Sequence, residues 1–203
     1  RAMSSQCSKQ PIVRAMRADP SSNSKDAAHH RSPRIAAVSM IGIGVIGAGS
    51  MVARLAVLPA IVASTRATLA AASSLSTPPS SVWSDVSVAD YQAVLDHPDV
   101  DAVYIPLPNA MHEEWTIKAA AAGKHILCEK PIAASVQAAE RMRVACDNAG
   151  VLLAEAWMTP FDPRWAEVMR LAATGLVGAI TEVRSTFAFT IGPEASNNYR
   201  WDP

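Results

Sequence analysis

From residue 40 onward the chain repeats one pattern: a short, almost uncharged apolar run, a helical stretch, then another run. The runs fall at 40–46, 68–73, weakly at 82–83, then at 102–107, 125–128 and 151–156. A run that is apolar without alternation suits a strand covered on both faces, and strands separated by helices join in parallel through crossovers. The pattern therefore predicts an α/β fold, a Rossmann-type doubly wound parallel sheet.

The helical stretches carry start and stop signals. Met111, Trp115, Lys118, Ala119 and Ala122 line one face of a helix with Glu113 and Glu114 in its first turn and Gly123 at its end. A second helix, 134–149, has Val136, Ala139, Met142, Ala145 and Cys146 as its apolar face and Gly150 as its C-terminal cap. Pro59 should kink or end the helix that follows the first strand. After Pro163 the pattern changes to a helix at 164–173, a stop at Gly175, and an alternating strand at 180–191 that reads as covered on one side only. The expected organisation is an extension or leader at 1–34, a dinucleotide-binding domain at 35–156, and the start of an incomplete α+β substrate domain at 157–203.

Composition narrows the partners. In 203 residues, 18 Lys and Arg balance 18 Asp and Glu, so no global field favours nucleic acid or an anionic membrane. Three scattered cysteines have the spacing of neither a zinc site nor a disulfide framework, so no metal is expected and a reducing, cytoplasmic compartment fits. Residues 1–34 hold seven Lys or Arg, seven Ser and only Asp19 and Asp26 as acids; this is an unstructured composition, and also that of an organelle transit peptide. Residues 35–53 are uncharged and long enough for a membrane span, but four glycines interrupt them and an amphipathic helix follows. No membrane partner is expected.

The first strand runs into Gly47-Ala48-Gly49-Ser50-Met51-Val52-Ala53 and then a helix. Glycine at the first position permits a tight turn, and at the second it lets backbone approach a pyrophosphate seated on the free N–H groups of the helix start. Val52 stands where a third glycine or alanine normally allows close packing. The alternative frame, Gly42-x-Gly44-x-x-Gly47, lies inside the strand and is set aside on context. No Asp or Glu occurs from Ala27 to Ser84, and the second strand ends in Ser73-Ser74, so the carboxylate that would bind a ribose 2′-hydroxyl is missing. Nothing there repels a 2′-phosphate, which favours NADP and leaves NAD open.

More specific is the series Asp101-Ala102-Val103-Tyr104-Ile105-Pro106-Leu107-Pro108-Asn109, then His112, then Gly123-Lys124-His125-Ile126-Leu127-Cys128-Glu129-Lys130-Pro131. Its P-N-x-x-H and E-K-P endings resemble the glucose-fructose oxidoreductase, inositol dehydrogenase and rhizopine-catabolism family, over roughly residues 40–203. The resemblance implies an NAD(P)-dependent oxidoreductase acting at a CH–OH carbon of a sugar, polyol or cyclic diol. The family's functional lysine falls on Lys130, whose charge can hold a substrate oxygen during hydride transfer. Glu129 and Pro131 are implied to shape the nicotinamide-ribose site, and Asn109 to contact the cofactor. In isolation Asn109 also reads as a helix N-cap, and His112 as either a satisfied helix histidine or a cofactor contact. The expected cofactor-binding set is Gly47, Gly49, Ser50, Met51, Ser73, Pro108, Asn109, His112, Glu129 and Lys130, with Lys130 catalytic. His125 reads as structural, and Cys128 as a candidate modification site.

Two departures bear on the site. Pro160 stands where Glu155-Ala156-Trp157-Met158-Thr159-Pro160-Phe161-Asp162-Pro163 would be expected to carry an arginine, and residues 75–81 replace a full helix. Residues 197–203 resemble the family's lead-in to the segment that brings its catalytic His or Tyr, so the acid/base residue is unassigned. Relatives are expected to be homo-oligomers through the second-domain sheet, an interface doubtful for this chain; the non-catalytic alternative is a dinucleotide-binding or interaction module.

Overall fold

The structure is a computed structural model in which residues 40–186 and 188 are described. Five strands, β1 (Ile41–Ile46), β2 (Ala67–Ser73), β3 (Ala102–Ile105), β4 (His125–Cys128) and β5 (Leu153–Glu155), form one parallel sheet in the order β2-β1-β3-β4-β5. The strand β1 is interior, which accounts for its apolar run, and the membrane-helix alternative ends there. Among the described residues no helix is long and apolar enough to cross a membrane. Gly42 and Gly44 serve packing inside β1: a Cβ on Gly42 would lie 1.7 Å from the Asp99 carbonyl oxygen, and one on Gly44 2.6 Å from a Val94 methyl.

Side chains alternate between two cores, as the two-residue period of a strand requires. Ile46, Val103 and Ile105 face α2 (Tyr91–Asp96), α3 (His112–Ala121) and α4 (Val136–Ala149), while Val45 and Tyr104 share the other cluster with Leu58, Ile61 and Trp83. Leu58 and Ile61 belong to α1 (Leu58–Ala63), which continues a π turn at Ala53–Val57. Pro59 marks the change: it has no N–H to give Leu55, and the ladder just before it runs from Leu58 N–H to the Ala53 carbonyl. Helix α4 has a Ser135 side-chain cap and ends on Gly150 at φ +68°. A last helix, α5 (Pro163–Ala173), is capped by Asp162.

Four expectations are corrected. Residues 82–83 form a turn, because the Trp83 ring is committed to the core; among the described residues a single parallel bridge, Ala72 to Ser87, occupies the edge beyond β2. The buried face of α3 is His112, Thr116, Ala119 and Ala120, with Trp115 at its margin, edge-on to Tyr91 and covered by the Lys118 ammonium. On α4 the buried residues are Ala138, Met142 and Cys146, with Ala139 and Ala145 half-buried, so the expected stripe fails only at Val136, which is 81% exposed. Residues 180–186 and 188 join no strand, having no ladder partner among the described residues; the rest of that expected strand, and all of 1–34, lie outside them.

Candidate functional site

The crossovers from β1 to β2 and onward to β3 leave in opposite directions, so the carboxyl ends of β1 and β3 flank a crevice where open parallel sheets bind ligands. Gly47 closes β1 at φ +97°, and a Cβ there would press on the Leu107 side chain at 2.8 Å. Its N–H and that of Ala48 both donate to the Ser73 carbonyl at 2.9 Å, which ties the end of β2 to the turn. A Cβ on Gly49 would fall 2.5 Å from both Ser74 Oγ and Thr77 Oγ1. The loop after β2 therefore sits directly over the second glycine. Ser50 Oγ accepts the Ala53 N–H at 3.2 Å and so caps the helix start, while the Met51 side chain is exposed. Val52, at the third position of the turn, points outward at 37% exposure, and fully buried Ala53 supplies the small packing residue. Ser73 is buried and its hydroxyl has no hydrogen-bond partner among the described residues.

After β3, Pro108 and Asn109 are exposed. Asn109 opens a 3-10 turn (Asn109–Met111) and caps nothing, since α3 starts only at His112 and no side chain closes either N-terminus. The N-cap alternative is thereby set aside. His112 is fully buried, with Nε2 2.8 Å from the Leu107 carbonyl oxygen and Nδ1 3.0 Å from that of Pro131. The direct cofactor contact expected of it has no exposed atom to make it; the ring instead joins the loop after β3 to the loop after β4.

That second loop carries Glu129, Lys130 and a cis Lys130–Pro131 peptide. Glu129 accepts the Tyr104 hydroxyl on one carboxylate oxygen at 2.8 Å and the Lys130 N–H on the other at 3.2 Å. Glu155, from β5, accepts the Ile132 N–H at 2.9 Å. Lys130, Pro131, Glu155 and Trp157 line an open pocket of about 490 Å3. The Lys130 ammonium is exposed and makes no hydrogen bond or ion pair among the described residues. Lys124, by contrast, spends its ammonium on the carbonyls of His97 and Val100, and His125 accepts the Leu152 N–H, both structural uses. Cys128 is corrected as a modification site: it is fully buried, and burial pushes its thiol up to about 12.

Tyr104, Glu155, Trp157 and the Ser74–Thr77 loop were not among the expected site residues. Only Tyr104 left a signal, as the single hydroxyl in an otherwise aliphatic strand that must find a partner when buried.

A parallel sheet with a glycine turn after β1 and an unpaired lysine after β4, both at its carboxyl edge, defines a dinucleotide-binding α/β protein of the Rossmann class. The chain belongs to the glucose-fructose oxidoreductase, inositol dehydrogenase and rhizopine-catabolism family, described as an oxidoreductase family with an NAD-binding Rossmann fold, whose model matches residues 41–156. A D-xylose 1-dehydrogenase (NADP(+)) of Haloferax volcanii is 37% identical over 164 residues, covering 79% of this chain and 50% of its own length. A dTDP-3,4-didehydro-2,6-dideoxy-alpha-D-glucose 3-reductase of Actinomadura kijaniata is 36% identical over 115 residues, covering 57% and 35%. Among solved structures, a 3-ketoreductase from Actinomadura kijaniata in complex with NADP and TDP-benzene superposes with TM-score 0.61 at 33% identity, over 68% of this chain and 43% of that one. The chain thus spans half the length, or less, of these relatives.

Proposed function

We propose that this chain carries the cofactor-binding half of an NADP-dependent oxidoreductase acting at a CH–OH carbon of a sugar, polyol or cyclic diol. The observation that supports it most is the free Lys130 ammonium beside an open pocket, on the same sheet edge as the Gly47 and Gly49 turn. What supports a dinucleotide is the glycine turn at the carboxyl edge of β1, with Ser50 opening the helix and the orphaned Ser73 hydroxyl on the adjoining strand end. Gly47, Gly49, Ser50 and Met51 would hold the pyrophosphate end, and Ser73, buried with its carbonyl fastened to the turn, would shape the adenosine ribose side from beneath. Pro108, Asn109 and Glu129 would border the nicotinamide end. When bound, the cofactor supplies or accepts the hydride. Lys130 holds the reacting oxygen and favours its alkoxide character through charge. Glu129 is kept off Lys130's ammonium by its bonds to Tyr104 and the backbone. The acid-free second strand end, together with the NADP named in two relatives, supports NADP over NAD.

The division at 156/157 belongs to the same proposal. Beyond β5 the surface exposes Trp157, Met158, Phe161, Trp165, Val168 and Met169, an apolar area that a second domain would cover. The test is a titration of the chain with NADPH and NADH, followed by nicotinamide fluorescence. Saturable binding, tighter for NADPH, is expected; a folded chain that binds neither overturns the proposal. Binding without turnover on any sugar or diol favours the non-catalytic module.

A further inference from the structure

Within β3, Tyr104 is the only side chain that carries a polar atom. Its strand pairs it with Val45 of β1 on one side and Leu127 of β4 on the other. The ring is buried in the cluster that contains Ala48 and Ala53 of the glycine turn, and the hydroxyl reaches across to Glu129 at the end of the next strand. A phenol at that depth must donate to something, and a carboxylate is a strong acceptor. Burial first, and the Glu129 carboxylate second, push the phenol well above its ordinary range, so it remains a donor throughout the working pH range. The opposite oxygen of the same carboxylate receives the Lys130 N–H. One side of Glu129 is thus fastened to the rigid centre of the sheet and the other to the backbone of the lysine.

We propose that Tyr104 is a positioning residue for Lys130, fixing the Glu129 carboxylate and, through it, the lysine's backbone at the mouth of the pocket. Its value to cofactor or substrate rests on the function proposed above, but the mechanical linkage does not. The link is unbranched: one phenol, one carboxylate, one amide. A change at Tyr104 should therefore reach Lys130 only while Glu129 is present.

The experiment uses the full chain with Tyr104→Phe, Glu129→Ala and the double variant, read first by amide hydrogen exchange at Lys130 without any cofactor. Tyr104→Phe is expected to speed exchange at Lys130 by about tenfold, the scale of one lost charge-assisted hydrogen bond, while the amides of β1 and β3 keep their protection. On the Glu129→Ala background the same substitution should add nothing, since the linkage is already cut. Unchanged exchange at Lys130, loss spread evenly over the sheet, or full additivity in the double variant would each overturn the assignment. If Tyr104→Phe does not fold, Glu129→Gln decides from the other end: its amide keeps an acceptor for the phenol, and exchange at Lys130 should rise without loss in β3. NADPH titration of the same proteins then separates the two proposals. Weaker binding in Tyr104→Phe, roughly three- to tenfold, supports both, whereas a local exchange effect in a chain whose wild type binds no dinucleotide sinks only the cofactor reading.

Discussion

Cys128 shows how far a side chain's chemistry can depart from its place in a motif. Two residues from Lys130, it faces the core, and burial raises its thiol from an ordinary value of 9.0 to about 12. The folded state therefore holds the proton more tightly than the unfolded chain does. Its contribution to stability is complete below pH 9 and is lost as pH rises toward 12, because only the unfolded thiol ionises in that window. Iodoacetamide labelling at pH 8, mapped by peptide mass spectrometry, should leave Cys128 unmodified in the native chain and modify it in urea. Labelling at equal rates in both conditions would contradict the burial. His112 differs from its motif in the same way. P-N-x-x-H made it a candidate contact, and only the placement of two backbone carbonyls, from Leu107 and Pro131, turned it inward.

At the scale of elements, local chemistry was legible because caps and turns act within a few residues. Gly123, Gly150 and Gly175, read as helix stops, all adopt positive φ. A Cβ added at Gly150 would meet nothing within 4 Å, so Gly150→Ala should cost only the left-handed conformation, about 1–2 kcal/mol. Ser135→Ala removes the Oγ acceptor of the Ala138 N–H and should cost about 1 kcal/mol. Urea unfolding of each variant checks both values; a change well above 2 kcal/mol would mean that these positions carry tertiary contacts as well. Helix faces were less legible, since Val136 of the expected α4 stripe is exposed and α3 buried a histidine and a threonine. Helix α3 packs against the sheet and against α4, to which the Arg141–Glu113 pair joins it on the surface, so its buried stripe reflects two neighbours and a single period could not locate it.

For the whole molecule, the division between a covered sheet and an uncovered region after β5 sets the expected behaviour. Trp157 after β5, Phe161 at the end of a 3-10 turn (Thr159–Phe161) and Trp165 in α5 are exposed, and an apolar surface of that kind favours association. The chain should bind an apolar dye such as anilinonaphthalene sulfonate and sediment with concentration-dependent mass, and Phe161→Ser with Trp165→Ser should reduce both while leaving the thermal midpoint nearly unchanged. Dye binding that is absent in the parent chain would show that this surface is covered. By itself the sequence determined the parallel α/β order, the glycine turn, the helix ends and the Glu129-Lys130-Pro131 loop, because each depends on residue type and short-range spacing. The tertiary structure alone decided that Val52 faces outward, that a single bridge stands in for an outer strand, and that Tyr104 reaches Glu129 across 25 residues of chain. Those outcomes depend on which strand lies beside which, and hydrophobic burial and hydrogen-bond satisfaction settle that over the whole fold at once.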